Sequence, residues 1–237
     1  MTSFFRFPHT PHLAWLGQGA PRDDKALCPA ERRLLLAHEV VVEEKVDGAN
    51  LGISIDEGGM VRAQNRGRYL THEHRYPQFR LLFGWIAAHH KALLDLLLPE
   101  LVVFGEWCYA VHGVRYTKLP DWFLAFDIYD RRRQAFWSTV RRDELVKRAG
   151  LELVPRLAMG RFDLASIADL LGPSRLGEGP AEGLYVRRDE GDWLVARAKL
   201  VRPEFTQSID EHWTKRSLEA NALARGRTEV RHRTAES

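Results

Sequence analysis

The chain is poor in the features that usually announce a compartment or a cofactor. Only two of its 237 residues are cysteine, Cys28 and Cys108, and neither belongs to a paired motif. A disulfide framework or a cysteine zinc site is therefore not expected. Long apolar runs are lacking: the richest stretch, Leu93–Phe104, is broken by Asp95, Pro99 and Glu100, so no membrane-spanning helix is expected. Met1–Gly19 lacks a basic leader followed by an apolar run, so no signal peptide is expected and the chain reads as intracellular. There is no internal repeat, no low-complexity segment, and no Gly-x-Gly-x-x-Gly or Walker loop, which argues against a dinucleotide-binding or P-loop protein. Net charge is only +3, so composition alone does not indicate a polyanionic partner. Charge is concentrated near the end, where Lys215, Arg216, Arg225, Arg227, Arg231 and Arg233 face only Glu219 and Glu229. Such a tail suits a phosphate backbone or is simply solvated.

What is present is an ordinary globular balance, 45% hydrophobic and 28% charged. A β-branched run at Glu39–Val46 ends at the turn signal Asp47-Gly48, and Leu51–Asp56 returns through Glu57-Gly58-Gly59 as Met60–Asn65. Phe79, Leu82, Phe83 and Ile86 recur at helical spacing, which predicts one helix over Gln78–Leu98. Strands follow at Leu101–Trp107, Trp122–Tyr129 and Gln134–Trp137. Shorter helices are expected near Arg141–Ala149 and Leu164–Leu171, the second capped by Asp163 with Gly172 beyond it. Gly183–Arg188 and Trp193–Val201 read as a hairpin over Asp189-Glu190-Gly191, and a last helix is expected over Ile209–Leu223. Hairpin-linked strands with inserted helices predict an α+β fold with largely antiparallel sheets.

The chemistry sits in Glu43-Glu44-Lys45-Val46-Asp47-Gly48-Ala49-Asn50. A Lys-x-Asp-Gly tetrad alone is weak, since it arises by chance in roughly one chain in twenty of this length. Here it closes an apolar strand and is followed in order by Gln64-Asn65-Arg66-Gly67, Phe104-Gly105-Glu106-Trp107, Leu124–Tyr129, Glu182–Arg187 and Arg197-Ala198-Lys199. In this order the segments resemble the motifs of the covalent nucleotidyltransferase superfamily, which holds ATP-dependent DNA and RNA ligases and capping guanylyltransferases. The resemblance covers about Val40 to Phe205.

It implies the fold of a ligase adenylation domain over residues 1–205, with residues 206–237 a short basic helical extension too small for an OB-fold. It implies that Lys45 is the catalytic nucleophile that takes AMP from ATP. It places Glu43, Glu44, Val46, Asn50, Arg66, Glu106, Phe126, Glu182, Arg197 and Lys199 around the nucleotide. Of these, Glu106 would hold the ribose, Phe126 would stack on the base, Lys199 would grip the α-phosphate, and Glu182 would hold Mg²⁺ or Mn²⁺. Arg197 departs from the family's usual lysine; it keeps the charge but cannot copy a lysine point contact. Asn50, and the spacing from Glu106 to Phe126, look like RNA ligases of the T4 RNA ligase 2 type. The expected partner is RNA or a nicked duplex, engaged by a monomer with a partner protein conceivable. A capping guanylyltransferase, a DNA nick ligase and a non-catalytic nucleic-acid-binding protein are the competing readings.

The residue types make chemical sense. A lysine amine attacking a phosphorus splits a difficult joining reaction into easier steps, and such transfer rests on positioning and charge neutralisation. Strand alternation places Glu43 and Asp47 on the face of Lys45, where they would hold its ammonium charged. Mg²⁺ with Lys199 and Arg197 is expected to reverse that field. Blander roles exist for each residue: Lys45 as a strand-end lysine, Phe126 as core, Arg66 as one surface arginine among several, Glu182-Gly183 as the opening of a hairpin. The ten histidines show no metal-ligand spacing and are read as structural.

Overall fold

A computed structural model describes residues 4–17, 26–73, 76–207 and 218–224. Two antiparallel sheets organise it. The first carries Lys45 and has the order β11 (Trp193–Val201), β10 (Gly183–Glu190), β1 (Val40–Lys45), β9 (Arg156–Gly160). The second runs β4 (Tyr69–Leu70), β3 (Val61–Gln64), β2 (Ala49–Ile55), β5 (Leu101–Trp107), β6 (Phe123–Asp130), β7 (Ala135–Phe136), with β8 (Glu152–Leu153) parallel to β6. The α+β class and antiparallel pairing read from the sequence are those observed.

Period-two alternation gives the first sheet two unlike faces. Val40, Val42, Leu184, Val186, Ala198 and Leu200 form an apolar face buried with Leu13, Leu35 and Ile167. It is covered by α1 (Pro29–Leu36) and α5 (Leu164–Ala168). The pairing Glu43↔Tyr185↔Lys199 and Val41↔Arg187↔Arg197 puts a row of polar side chains on the opposite face. In the second sheet, Leu51, Ile53, Val103, Phe123, Ala125 and Ile128 form the main core with Leu82, Trp85, Leu93 and Leu96. The last four belong to α2 (Leu82–Ala88) and α3 (His90–Leu96).

An N-terminal segment that the sequence reading left unassigned packs against the other face of the second sheet. Phe5 stacks on Tyr129 at 3.6 Å, Phe7 meets the rings of Phe104, Phe126 and Phe136, and Gln64 Nε2 donates to the Phe5 carbonyl at 2.7 Å. Beyond it, Leu13 N–H donates to the Lys199 carbonyl and Lys199 N–H to that of Pro11, tying the segment to β11.

Three local expectations are corrected. The single helix over Gln78–Leu98 is a 3-10 turn at Pro77–Phe79, then α2, then α3. The break falls at His89, whose ring stacks on Trp85 at 4.2 Å and lies 3.3 Å from the Asp121 carboxylate. Helix α1 lies in a stretch before Glu39 for which the sequence reading expected no element. Its capping box uses Cys28 as N-cap with Glu31, and Pro29 fits the first turn. The helix expected over Ile209–Leu223 falls mostly outside the described residues, as do Trp213 and the basic tail residues. Its described part, 218–224, is extended instead and bridges Ala110 through Ala220 and Leu119 through Leu223. Elsewhere the expected helices appear as α4 (Thr139–Arg148) and the shorter α5, whose cap is Asp163 accepting from Ser166 N–H.

Candidate active site

Lys45 ends β1 opposite Gly183 of β10, and its ammonium donates to the carboxylate of Glu182, the residue before that strand. Two glycines permit this approach. A Cβ on Gly183 would lie 2.3 Å from the Leu200 carbonyl oxygen, and one on Gly48 2.7 Å from that of Trp107. Any side chain at either position would push apart the strands that bring Lys45, Glu106 and Glu182 together.

Three carboxylates act on the one ammonium. Burial alone would lower the Lys45 pKa; Glu182, Asp47 and Glu106 outweigh it, and the net shift is upward. The acids respond in kind. Burial pushes Glu106 up to about 8 against the pull of Lys45, and Asp47 and Glu182 add to the rise. Glu182 is pushed up to about 6, again mainly by burial, with Lys45 and Lys199 pulling it down. Three carboxyl groups are thus crowded around one ammonium. Asn50, opposite Glu106 across β2 and β5, adds a buried Oδ1 with no hydrogen-bond partner. Clustered oxygen donors, one of them unpaired, fit a hard divalent cation, which takes few protein ligands and keeps waters and phosphate oxygens. Among the described residues no group of three His, Cys, Asp or Glu is arranged as a metal cluster.

The residues flanking Lys45 are held by the protein itself. Glu43, 1% exposed, is bound by the Arg142 guanidinium at 2.5 Å and lies 3.8 Å from that of Arg187. It shares the face of Lys45 but is not among the charges that shift it. Glu44 accepts from Ser174 Oγ at 2.5 Å and Arg175 N–H at 2.8 Å, and Val46 is buried with Cys108, Val114 and Tyr116. The side chains of Glu43, Glu44 and Val46 are therefore engaged by the protein: they anchor the strand that carries the lysine. The expectation that Glu43 holds the Lys45 ammonium charged is corrected accordingly, because a buried carboxylate takes the guanidinium that compensates it. Asp47 does act on Lys45, and its carboxylate accepts from Gly113 N–H at 2.5 Å and Val114 N–H at 2.9 Å.

Phe126 lies at a register shift of β6 and is half-buried, its ring edge-on to Phe7 at 5.3 Å. Its carbonyl accepts from two buried guanidiniums, Arg142 at 2.5 Å and Arg187 at 3.1 Å. Arg187 also grips Asp127 at 2.5 Å, and Arg197 reaches the other oxygen of Asp127 at 2.7 Å. Arg197 further lies 4.6 Å and 4.2 Å from the ring centroids of Phe7 and Phe136. It is held beside Phe126 by these partners, whereas Lys199, two residues on and on the same face, acts on Glu182. Arg66 is exposed at the tip of a turn in which Asn65 Oδ1 accepts from Gly67 and Arg68 N–H, and its charge reaches Glu106. The structure thus gathers Lys45, Glu106 and Glu182 electrostatically, with Arg66 and Lys199 acting on the acids. The polar residues that hold this group, Arg142, Asp127, Arg187, Ser174 and Tyr116, went unassigned in the sequence.

A family model described as RNA ligase matches residues 38–201. The chain belongs to the RNA ligase family. The match runs from just before β1 to the end of β11 and so includes both sheets. Among solved structures, the fold resembles that of the Naegleria gruberi RNA ligase. One mutant of that enzyme with ATP and Mn is 18% identical over 75% of this chain and 54% of its own, with a TM-score of 0.61. A second mutant with ATP and Mn gives 16%, 89% and 60%, and 0.62. The same enzyme with PPi gives 17%, 89% and 65%, and 0.60. The chain thus spans between about half and two-thirds of the length of these proteins. At these identities the likeness concerns the RNA ligase fold. No curated protein matches the sequence. Among the described residues no helix is long and apolar enough to cross a membrane.

Proposed function

We propose that this member of the RNA ligase family is an ATP-dependent RNA ligase that works through AMP bound covalently to Lys45. The observation that carries the reading is the placement of one lysine amine against Glu182, within the field of Glu106 and Asp47, at the join between the two sheets. An amine in an acid-rich pocket is an unreactive ammonium until positive charge enters. Naegleria structures have been solved with ATP and Mn and with AMP and Mn, which supports a nucleotide and a divalent cation as what completes this pocket.

In the first step Lys45 Nζ, freed of its proton, forms a bond to the α-phosphorus of ATP as the bond to pyrophosphate breaks. In the second, a 5′-phosphate oxygen of the RNA displaces Lys45 and takes AMP. In the third, a 3′-hydroxyl attacks that activated phosphate, the strand is sealed and AMP leaves. Lys199 neutralises phosphate charge, Glu106 binds the ribose, Phe126 stacks on the base, and Asn50 and Arg66 attend the phosphates or the incoming hydroxyl. Arg197 supports Phe126 and Asp127. A cation held by Glu182, Mg²⁺ or Mn²⁺, supplies charge neutralisation at the phosphates.

In this reading residues 1–205 form the adenylation domain and 206–237 an extension whose basic residues meet RNA. Asn50 and the Glu106-to-Phe126 spacing support the T4 RNA ligase 2-like subgroup, acting as an intracellular monomer. A panel of nicked duplexes with ribo- or deoxyribonucleotide ends, each with 3′-hydroxyl and 5′-phosphate, tests it. ATP-dependent sealing of the ribonucleotide nick is expected. Sealing confined to all-DNA nicks, or transfer of GMP to a diphosphate end, would overturn it.

A further inference from the structure

The turn that follows Lys45 is held by a loop, and the loop is held by the far end of the chain. Asp47 N–H donates to the Tyr116 hydroxyl at 2.7 Å, and the Asp47 carboxylate accepts from the amides of Gly113 and Val114. Val46 is buried with Cys108, Val114, Tyr116 and Leu119, and Leu223 and Phe205 pack on that cluster. Both residues after the lysine are thus seated in one small structure, the loop 108–119.

The extended segment 218–224 fastens that loop. Asn221, 5% exposed, makes contacts in three directions: Oδ1 accepts from Tyr116 N–H at 2.8 Å, and Nδ2 donates to the carbonyls of Cys108 at 2.8 Å and Ala110 at 3.1 Å. Backbone bonds reinforce it: Val111 N–H to the Glu219 carbonyl, Asn221 N–H to Tyr109, Ala222 N–H to Tyr116 and Ala224 N–H to Leu119. Arg115 and Glu219 pair at the surface. A buried amide that satisfies three backbone groups of one loop determines its conformation, because leaving those groups unpaired is costly.

We infer that residues 218–224 are a latch on the nucleophile, with Asn221 as a positioning residue for Lys45 acting through the loop 108–119 and Asp47. The inference rests on the ligase reading and adds a contribution to adenylylation from beyond the family's matched span, residues 38–201. Positioning matters here because phosphoryl-type transfer draws on in-line geometry, and small misplacements slow it while leaving nucleotide binding nearly intact.

The test is single-turnover formation of the covalent adenylate on the full-length chain with Mg²⁺ and labelled ATP. Asn221→Ala is expected to lower the rate at saturating ATP about 10-fold, with the half-saturating ATP concentration changed by no more than about two-fold. Tyr116→Phe, at the other end of the path, is expected to give a similar loss, and the double variant to fall within about two-fold of the larger single effect. An unchanged maximal rate in folded Asn221→Ala, a change confined to half-saturation, or additive losses would overturn the latch. Should Asn221→Ala fail to fold, Tyr116→Phe, which leaves the C-terminal segment in place, decides by the same criterion of maximal rate. A wild-type chain that takes no label overturns the ligase reading and the latch together. A labelled wild type with unaffected variants overturns the latch alone.

Discussion

Lys45 and Glu182 face each other across the start of the β1–β10 pairing, ammonium on carboxylate, from positions 137 residues apart in the chain. The contact favours the charged ammonium form of Lys45. Glu182 holds the proton on Lys45 and, in the proposed function, also holds the divalent cation. In that reading one charge serves two opposed ends, keeping the lysine protonated and recruiting the cation that activates it.

Glu182→Gln should consequently have two effects. The Lys45 pKa should fall, because the largest charge raising it is gone. The adenylylation rate at low Mg²⁺ should nevertheless fall about 100-fold, and part of that loss should be regained at high Mg²⁺. The rate measured against Mg²⁺ concentration checks this. A variant as fast as wild type at low Mg²⁺ would remove Glu182 from the cation site.

Glu106 ties function to stability. Its carboxyl is pushed from 4.5 to about 8 in the native chain, chiefly by burial. The folded chain therefore keeps a proton across that window that the unfolded chain releases. Stability from this group is present below about pH 4.5 and is lost as pH rises towards 8. Glu106→Gln should accordingly melt higher than wild type at pH 8 in EDTA, with the gap closing towards pH 5, while adenylylation is lost. Melting curves across that range suffice, and a gap that widens at low pH would contradict the assignment.

Glu43 offers a contrast. It is fully buried against Arg142, so Glu43→Ala leaves a guanidinium short of its partner and should cost about 3–5 kcal/mol in denaturant unfolding. Replacing Glu43 and Arg142 together by apolar residues should recover much of that. The rescued double variant should still label Lys45, since the Glu43 carboxylate is taken up by Arg142. Its half-saturating ATP concentration should rise, because Arg142 also holds the Phe126 carbonyl.

Much of this was legible in the sequence, and the failures share a cause. Strand β1 announces itself by its β-branched run, and Lys45, Glu106 and Glu182 by the ordered segments that resemble the motifs of the covalent nucleotidyltransferases. The partners of Glu43 and Glu44 lie 99 and 130 residues away, and no local periodicity connects them. Helix α1 hid behind a cysteine cap, an unusual choice among capping side chains. The N-terminal aromatics Phe5 and Phe7 read as a loose lead because what they pack on is formed by distant strands. Residues 218–224 carried a helical expectation, yet Asn221 and the loop it fastens make them extended: tertiary pairing overrode a weak local preference.

Phe126 should govern ATP affinity more than turnover. Phe126→Ala is expected to raise the half-saturating ATP concentration about 10-fold or more, in line with the loss of one base–aromatic stack, while Phe126→Trp stays near wild type. Titration of the single-turnover rate with ATP separates the two parameters. Equal affinity for ATP in Phe126→Ala would place the base elsewhere.

The central claim is that Lys45 carries AMP, and one measurement meets it most directly. The full-length chain is incubated with Mg²⁺ and ATP labelled at the α-phosphate, denatured, digested and mapped. The expected result is acid-labile, alkali-stable label on the peptide containing Lys45, released by added pyrophosphate and absent from Lys45→Ala. Label that survives denaturation equally in Lys45→Ala, or no covalent label on a folded wild-type chain, would contradict the account.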